Sequence, residues 1–142
     1  MKIEISKKED VEMIVSIAEK VLPIYYDKET TSEFIKKYIA IIATLKKKRV
    51  GFLLAKMNNK NIHIHSIGVD EKYRRKGVGS SLISFLKVYD YSNLTLNVSE
   101  MNIAGISFYK SLGFMNILFK KDYYDNLKNN NAYLMCLTRR LL

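Results

Sequence analysis

Tyr73-Arg-Arg-Lys-Gly-Val-Gly79 places three cations directly ahead of two closely spaced glycines. Before it, Asn61 to Val69 reads as a strand, and after it Ser80 to Val88 carries apolar residues at helical spacing. The local unit is therefore strand, glycine loop, helix. With no Cβ at Gly77 and Gly79, successive backbone N–H groups can converge on one ligand oxygen. The helix start adds N–H groups that lack an intrahelical acceptor, together with the positive end of the dipole. Arg74, Arg75 and Lys76 add charge of the same sign, so the loop is expected to hold an anionic group. A solvated basic turn that merely begins a helix is the plainer alternative.

Upstream, Met1 to Ile5 alternates as a strand, and Ser6-Lys-Lys-Glu9 has the spacing of a capping box. Val11, Ile14, Val15, Ala18, Val21 and Leu22 then follow a helical period, which Pro23 should end. Leu22-Pro-Ile-Tyr-Tyr26 reads as an irregular aromatic segment. A second helix is expected from Thr31 or Ser32, carrying Phe34, Ile35, Tyr38 and Ile39. Ile41–Leu45, Val50–Met57 and Asn61–Val69 read as antiparallel strands, joined by polar turns at Lys46–Lys48 and Asn58–Lys60. His63 and His65 alternate with Ile62, Ile64 and Ser66, so both point to one face of their strand.

Downstream, Val78, Leu82, Phe85 and Leu86 form the buried side of the loop helix, and Leu94–Val98 is a short strand. Asn102 can cap a helix from Ile103 to Leu112, with Gly113 at its stop. Phe114–Tyr124 and Ala132–Leu141 read as the last strands, around a polar loop from Asp125 to Asn131. The order is β-α-α-β-β-β-α-β-α-β-β. It implies one α/β domain over residues 1–142, with helices on both faces of a mixed sheet.

The chain of 142 residues carries a net charge of +10, which favours polyanions: nucleic acid, anionic lipid or a phosphorylated cofactor. Much of that charge lies in Lys46-Lys-Lys-Arg49, expected as a solvated hairpin tip, in Arg74–Lys76 and in Arg139-Arg140. No apolar run reaches membrane length, and the N-terminus shows no secretory h-region. Cys136 is the single cysteine, so an internal disulfide is impossible and a cytoplasmic enzyme fits best. No metal site, membrane partner or specific nucleic acid is expected, and the chain is expected to be a monomer or homodimer.

At the glycine loop the sequence resembles the GNAT family of acetyl-CoA-dependent N-acetyltransferases. Arg74, Gly77 and Gly79 match its pyrophosphate-binding signature, preceded by the strand end Ile67-Gly68-Val69. A second block, Asn102-Ile-Ala-Gly-Ile-Ser-Phe-Tyr-Lys-Ser-Leu-Gly-Phe114, looks like the family's Asn-x-x-Ala-x-x-Phe-Tyr-x-x-x-Gly-Phe, with Gly105 at the small position. The resemblance covers nearly the whole chain. It implies a mostly antiparallel sheet that splays at its centre, and acetyl-CoA as cofactor. It implies that Ile67, Gly68, Val69, Arg74, Arg75, Lys76, Gly77, Val78, Gly79 and Ser80 line the cofactor, together with Asn102 and Tyr109. Tyr109 would stand near the thioester sulfur as the acid for the departing thiolate. Backbone N–H groups on the strand ending at Val69 would serve the thioester oxygen.

The acceptor amine must lose a proton to attack. Many relatives place a glutamate on the strand after the loop helix, but here Asn97 stands there, and an amide cannot take a proton. Glu100 follows three residues on. His63 and His65 are the better candidates by chemistry, His63 ahead because some protein N-terminal acetyltransferases have a tyrosine at its position. Two surface histidines on a half-exposed strand remain the plainer reading. Cys136, in an apolar run, reads as packing rather than as a nucleophile. Lys121-Asp-Tyr-Tyr124 and Asn131-Ala-Tyr-Leu-Met135 resemble the tail of the N-terminal amino-acid acetyltransferases, including the ribosomal-protein branch, with Asn131 in place of an aspartate. That resemblance implies a protein or peptide N-terminus as acceptor. Tyr26, Tyr123 and Tyr124 would bind its backbone, and Pro23 and Ile24 would line the first side-chain pocket. A small-molecule amine acetyltransferase, a non-catalytic acyl-CoA-binding module and a nucleic-acid-binding protein are the alternatives.

Overall fold

The computed structural model describes residues 1–22, 26–124 and 131–139. Its strands are β1 (Lys2–Ile5), β2 (Ile39–Leu45), β3 (Lys48–Asn58), β4 (Asn61–Val69), β5 (Asn93–Ser99), β6 (Met115–Lys120) and β7 (Ala132–Thr138). Its helices are α1 (Val11–Val21), α2 (Lys28–Lys37), α3 (Val78–Phe85) and α4 (Ile103–Ser111). Among the described residues the element order is the one expected from the sequence. The sheet order is β1-β2-β3-β4-β5-β7-β6. Pairing is antiparallel for β1/β2, β2/β3, β5/β7 and β6/β7, and parallel for β4/β5. The parallel pair follows from the α3 crossover, since a tight hairpin can join only antiparallel strands.

Two compact units divide the chain. One comprises Met1–Met57 and His65–Tyr89; the other comprises Asn58–Ile64 and Asp90–Leu142. Strand β4 therefore gives its first half to the second unit and its last half to the first.

In the first unit β2 and β3 are buried on both faces, from Ile39 to Ala43 and from Val50 to Ala55. Such strands read as continuous apolar runs because each face has a partner layer. Ile14, Ile17 and Ala18 of α1 pack on Ala40, Ile42, Phe52 and Leu54, with Phe34 and Ile35 of α2 at the margin. Gly68 is a packing residue: a Cβ there would lie 2.7 Å from Phe52 Cε1.

Several local expectations move. The cap before α1 uses Asp10, not Ser6 and Glu9: Lys7 N–H donates to Asp10 Oδ2 at 2.8 Å, through a 3-10 turn at Lys8–Asp10. Asp10 is 2% exposed and also pairs with the Arg49 side chain. Arg49 is thus no part of a solvated tip; it belongs to β3, and the turn proper is Lys46 and Lys47, at φ 51° and 65°. Helix α2 begins at Lys28 because Asp27 accepts from the Thr30 N–H at 2.7 Å, and it ends before Tyr38, leaving Ile39 to β2. Helix α3 ends at Phe85, with Ile83 on its buried side and Phe85 half-buried.

In the second unit β5 alternates strictly between buried and half-buried positions, and β6 is an exposed edge strand. The β4/β5 pairing runs from Asn61↔Asn93 to Ile64↔Leu96, while β5 goes on pairing with β7 to Ser99↔Ala132. Strand β6 stops at Lys120 rather than Tyr124. Asp122 takes a positive φ of 52°, and its N–H turns to Asn131 Oδ1 at 3.0 Å, out of the ladder. Asn102 caps α4 as expected, accepting from the Gly105 N–H at 2.9 Å.

Candidate active site

The glycine loop lies in the first unit, and its geometry suits an anion. Gly77 caps α3 at φ +78°, a left-handed conformation that side-chain-bearing residues rarely adopt, and Arg75 is also left-handed at φ 60°. The first intrahelical bond runs from Ser81 N–H to Gly77 O at 3.0 Å, so Val78, Gly79 and Ser80 come before it. No side chain caps these donors. A Cβ built on Gly77 meets nothing within 4 Å, so the approach over the loop is open. Arg74, Arg75 and Lys76 are all exposed around it. Open donors, a helix N-terminus and three cations fit a diphosphate. Ile67 and Val69, on the last part of β4, lie beyond its pairing with β5.

The first unit also holds an aromatic cluster about His65. Its ring stacks on Phe34 at 5.3 Å and on Tyr26 at 6.1 Å between centroids. Lys56 Nζ lies 4.5 Å from the Tyr38 ring centroid and 5.7 Å from that of Phe34. Desolvation by these rings, then the Lys56 charge, holds the His65 imidazole below its ordinary pKa. Burial pushes the Tyr26 hydroxyl up, with Ser66 pulling the other way. Phe34 and Lys56 were not anticipated here. The sequence signal was the apolar face of α2, which does not say what that face covers. Pro23 and Ile24 lie outside the described residues.

The second unit brings His63, Asn97 and Tyr123 into one polar chain and adds two members that the sequence did not reveal. His63 Nδ1 is 2.9 Å from Thr95 Oγ1, which also accepts from Asn61 Nδ2 at 3.2 Å. Asn97 Nδ2 lies 3.3 Å from His63 Nε2 and donates to the Tyr123 hydroxyl at 3.1 Å. Asn97 Oδ1 is buried without a partner, a costly state for an amide oxygen. The parallel register sets His63 opposite Thr95. His63 and His65 share a face of β4, as expected, yet their side chains engage different units. Their neighbours at each point along the strand, not its alternation, separate them in environment.

Tyr109, on α4, is half-buried, and close packing around its hydroxyl pushes its pKa to about 12, with Tyr124 adding to the rise. Its ring meets Phe108 and Phe114 at 5.3 and 5.7 Å. Tyr124 is also raised, by burial and by Tyr123, whose ring lies edge-on at 4.8 Å. Glu100 is directed at Asn131, whose Nδ2 donates to Glu100 Oε1 at 3.4 Å while its Oδ1 accepts from Asp122 N–H. An aspartate at 131 could accept but not donate, so this amide suits a neighbour that is itself a carboxylate. Gly105 leaves room for the cap, since a Cβ there would fall 2.5 Å from Asn102 Nδ2. Cys136 is half-buried on β7, in register with Thr95. Among the described residues no cluster of metal-binding side chains occurs, and no helix is long and apolar enough to cross a membrane.

Comparison with known proteins brings both halves under one heading. Residues 11–114 match the acetyltransferase (GNAT) family. The chain is 30% identical to an N-alpha-acetyltransferase of Sulfurisphaera tokodaii, over 89% of this chain and 86% of the relative. Its fold superposes on Ard1 from Thermoplasma volcanium with a TM-score of 0.88 at 27% identity, covering 96% of each chain. The ribosomal-protein-S18-alanine N-acetyltransferase from Escherichia coli gives a TM-score of 0.87 over 99% of this chain and 95% of that one; at 23% identity it speaks for the fold alone. Because the match enters at the first residue of α1 and leaves just before β6, taking in the glycine loop and the Asn102–Phe114 block, the chain belongs to the GNAT family and is an acetyl-CoA-dependent acetyltransferase.

Proposed function

We propose that the protein acetylates the free α-amino group of a protein or peptide by direct attack of that amine on acetyl-CoA. The observation that carries the reading is Asn97, an amide set between His63 and Tyr123 where many relatives have a carboxylate. An amide leaves proton acceptance to the imidazole, and imidazole is a mild base. An α-amine, with a pKa of about 7.7–8.0, is roughly one-tenth neutral at pH 7, whereas a lysine near 10.4 is almost wholly charged. A mild base therefore suits the first acceptor and serves the second poorly. The names of the relatives, N-alpha-acetyltransferases among them, support the same acceptor class.

Bound acetyl-CoA supplies an acetyl thioester open to attack by an amine. The N–H groups of Val78, Gly79 and Ser80, with Arg74, Arg75 and Lys76, hold the diphosphate, and Gly77 keeps the approach open. Asn102 and Tyr109 serve the pantetheine end, and the backbone of Ile67, Gly68 and Val69 offers donors along β4. His63 takes the acceptor's proton at Nε2, directly or through a water, which displaces the long Asn97 contact. His65, its imidazole held below its ordinary pKa and stacked on two rings, forms an aromatic wall with Tyr26. Tyr109 keeps its proton throughout the working range. With its pKa pushed up to about 12 by burial, full proton transfer from its hydroxyl to the leaving thiolate is unfavourable. Its role is thus to donate a hydrogen bond to the leaving sulfur rather than to protonate it. Tyr26, Tyr123 and Tyr124 offer hydroxyls to the peptide backbone.

The test is acetyl transfer to matched acceptors: a peptide with a free N-terminus, the same peptide blocked and carrying lysine, and a polyamine. Transfer confined to the free N-terminus is expected. Comparable turnover of the polyamine or the blocked peptide would overturn the reading.

A further inference from the structure

We propose that Thr95 is a positioning residue for His63, fixing the imidazole tautomer that carries its proton on Nδ1 and leaves the Nε2 lone pair facing Asn97. The inference rests on the reading of His63 as the proton acceptor and deepens it. Three observations carry it. The parallel register sets His63 directly opposite Thr95, so their side chains share a face and meet at 2.9 Å between Nδ1 and Oγ1. Thr95 Oγ1 has two lone pairs, one taken by Asn61 Nδ2 at 3.2 Å and the other available to an Nδ1–H. At the far side of the ring, Asn97 Nδ2 stands 3.3 Å from Nε2, a contact that in this amide orientation requires an unprotonated Nε2.

Turning the Asn97 amide would place its NH2 where the oxygen now finds no partner and oblige both Nε2 and the Tyr123 hydroxyl to donate. The present orientation leaves one acceptor unmatched; the turned one would bury two amide protons there. The arrangement has a mechanical consequence. The Nδ1–H···Oγ1 bond persists whether Nε2 is free or protonated, so the ring need not rotate during turnover. Because Thr95 is neutral, it orients the ring without the rise in basicity that a carboxylate partner would impose.

The test uses the full chain with 15N-labelled histidine, reading the tautomer of His63 by long-range proton–nitrogen correlation, its signal assigned with His63→Ala. Parent, Thr95→Val and Thr95→Ser are compared for tautomer, kcat, KM and pH–rate profile. The parent is expected to show the Nδ1–H form. Thr95→Val should release the ring toward Nε2–H and lower kcat by about tenfold, with the peptide KM little changed, and Thr95→Ser should restore both. An Nε2–H ring in the parent, or a Thr95→Val protein with parental tautomer and kcat, would overturn the role of Thr95. The base reading is tested separately: a His63→Ala protein that keeps parental kcat removes the base and this inference with it. A large loss in His63→Ala beside an unaffected Thr95→Val removes only Thr95.

Discussion

The two units build their parts of the chemistry from different materials. In the first, the loop suited to an anion is made of main chain: Gly77 in a left-handed cap, and the N–H groups that open α3. In the second, the polar chain is made of side chains: Asn61, Thr95, His63, Asn97 and Tyr123, drawn from two paired strands and the segment after β6. A main-chain site depends on which residue types permit a conformation, and tolerates change in the side chains around it. A side-chain site depends on register, because sliding β4 against β5 by one residue would turn His63 to the other face. Binding should therefore be the property most sensitive in the first unit, and turnover the property most sensitive in the second.

Tyr109→Phe should show the largest effect. Removing one donor at a developing charge lowers kcat by about 100-fold, while coenzyme A affinity stays within about twofold. Isothermal titration beside steady-state kinetics measures both; an equal loss in each would erase the contrast between the units. Gly68→Ala comes next and is read in stability. Its Cβ would press on Phe52 and Val21 in a packed core, costing about 1–3 kcal/mol in denaturant unfolding. No change in the midpoint would mean that this core is looser than it looks.

Gly77→Ala follows. The space above Gly77 is open, so the penalty is conformational, about 1–2 kcal/mol, and should appear as roughly tenfold weaker coenzyme A binding at near-parental kcat. A kcat loss without a binding loss would count against the division of labour. The smallest effect concerns pH. His65 has a folded pKa below its unfolded value of about 6.5, so the unfolded state takes up the proton first. Its contribution to stability is present above that unfolded value and is lost as pH falls through the lower folded one. His65→Phe keeps a ring for Tyr26 and Phe34 to stack on, and should flatten the fall in melting temperature between about pH 7 and pH 5. A slope as steep as the parent's would show that other groups govern the acid side.

Legibility follows the same division. The glycine loop could be read from Arg74 to Gly79 because its physics is local: no Cβ, a helix start and a run of cations. Asn102 was legible as a cap for the same reason. Helix α2 starts earlier than the sequence pattern implies because Asp27, an ordinary turn residue in sequence, captures the Thr30 N–H. The strand after α4 is shorter than its sequence pattern implies because nothing local announces that Asp122 turns to Asn131. Arg49 looked like one more cation of a basic tip until the fold set it beside the buried Asp10.

By itself the sequence determined what short-range rules govern: the order of strands and helices, the glycine loop that opens α3, and the family that these imply. Only the tertiary structure decided which polar side chains meet. Thr95 becomes a partner of His63 solely through the pairing of β4 with β5, residues more than thirty positions apart. Alternation says that His63 and His65 share a face, but the packing around each decides that one joins a hydrogen-bonded chain and the other a stack of rings. Backbone preference is set within a few residues, whereas side-chain encounter depends on long-range register, and no local pattern contains it.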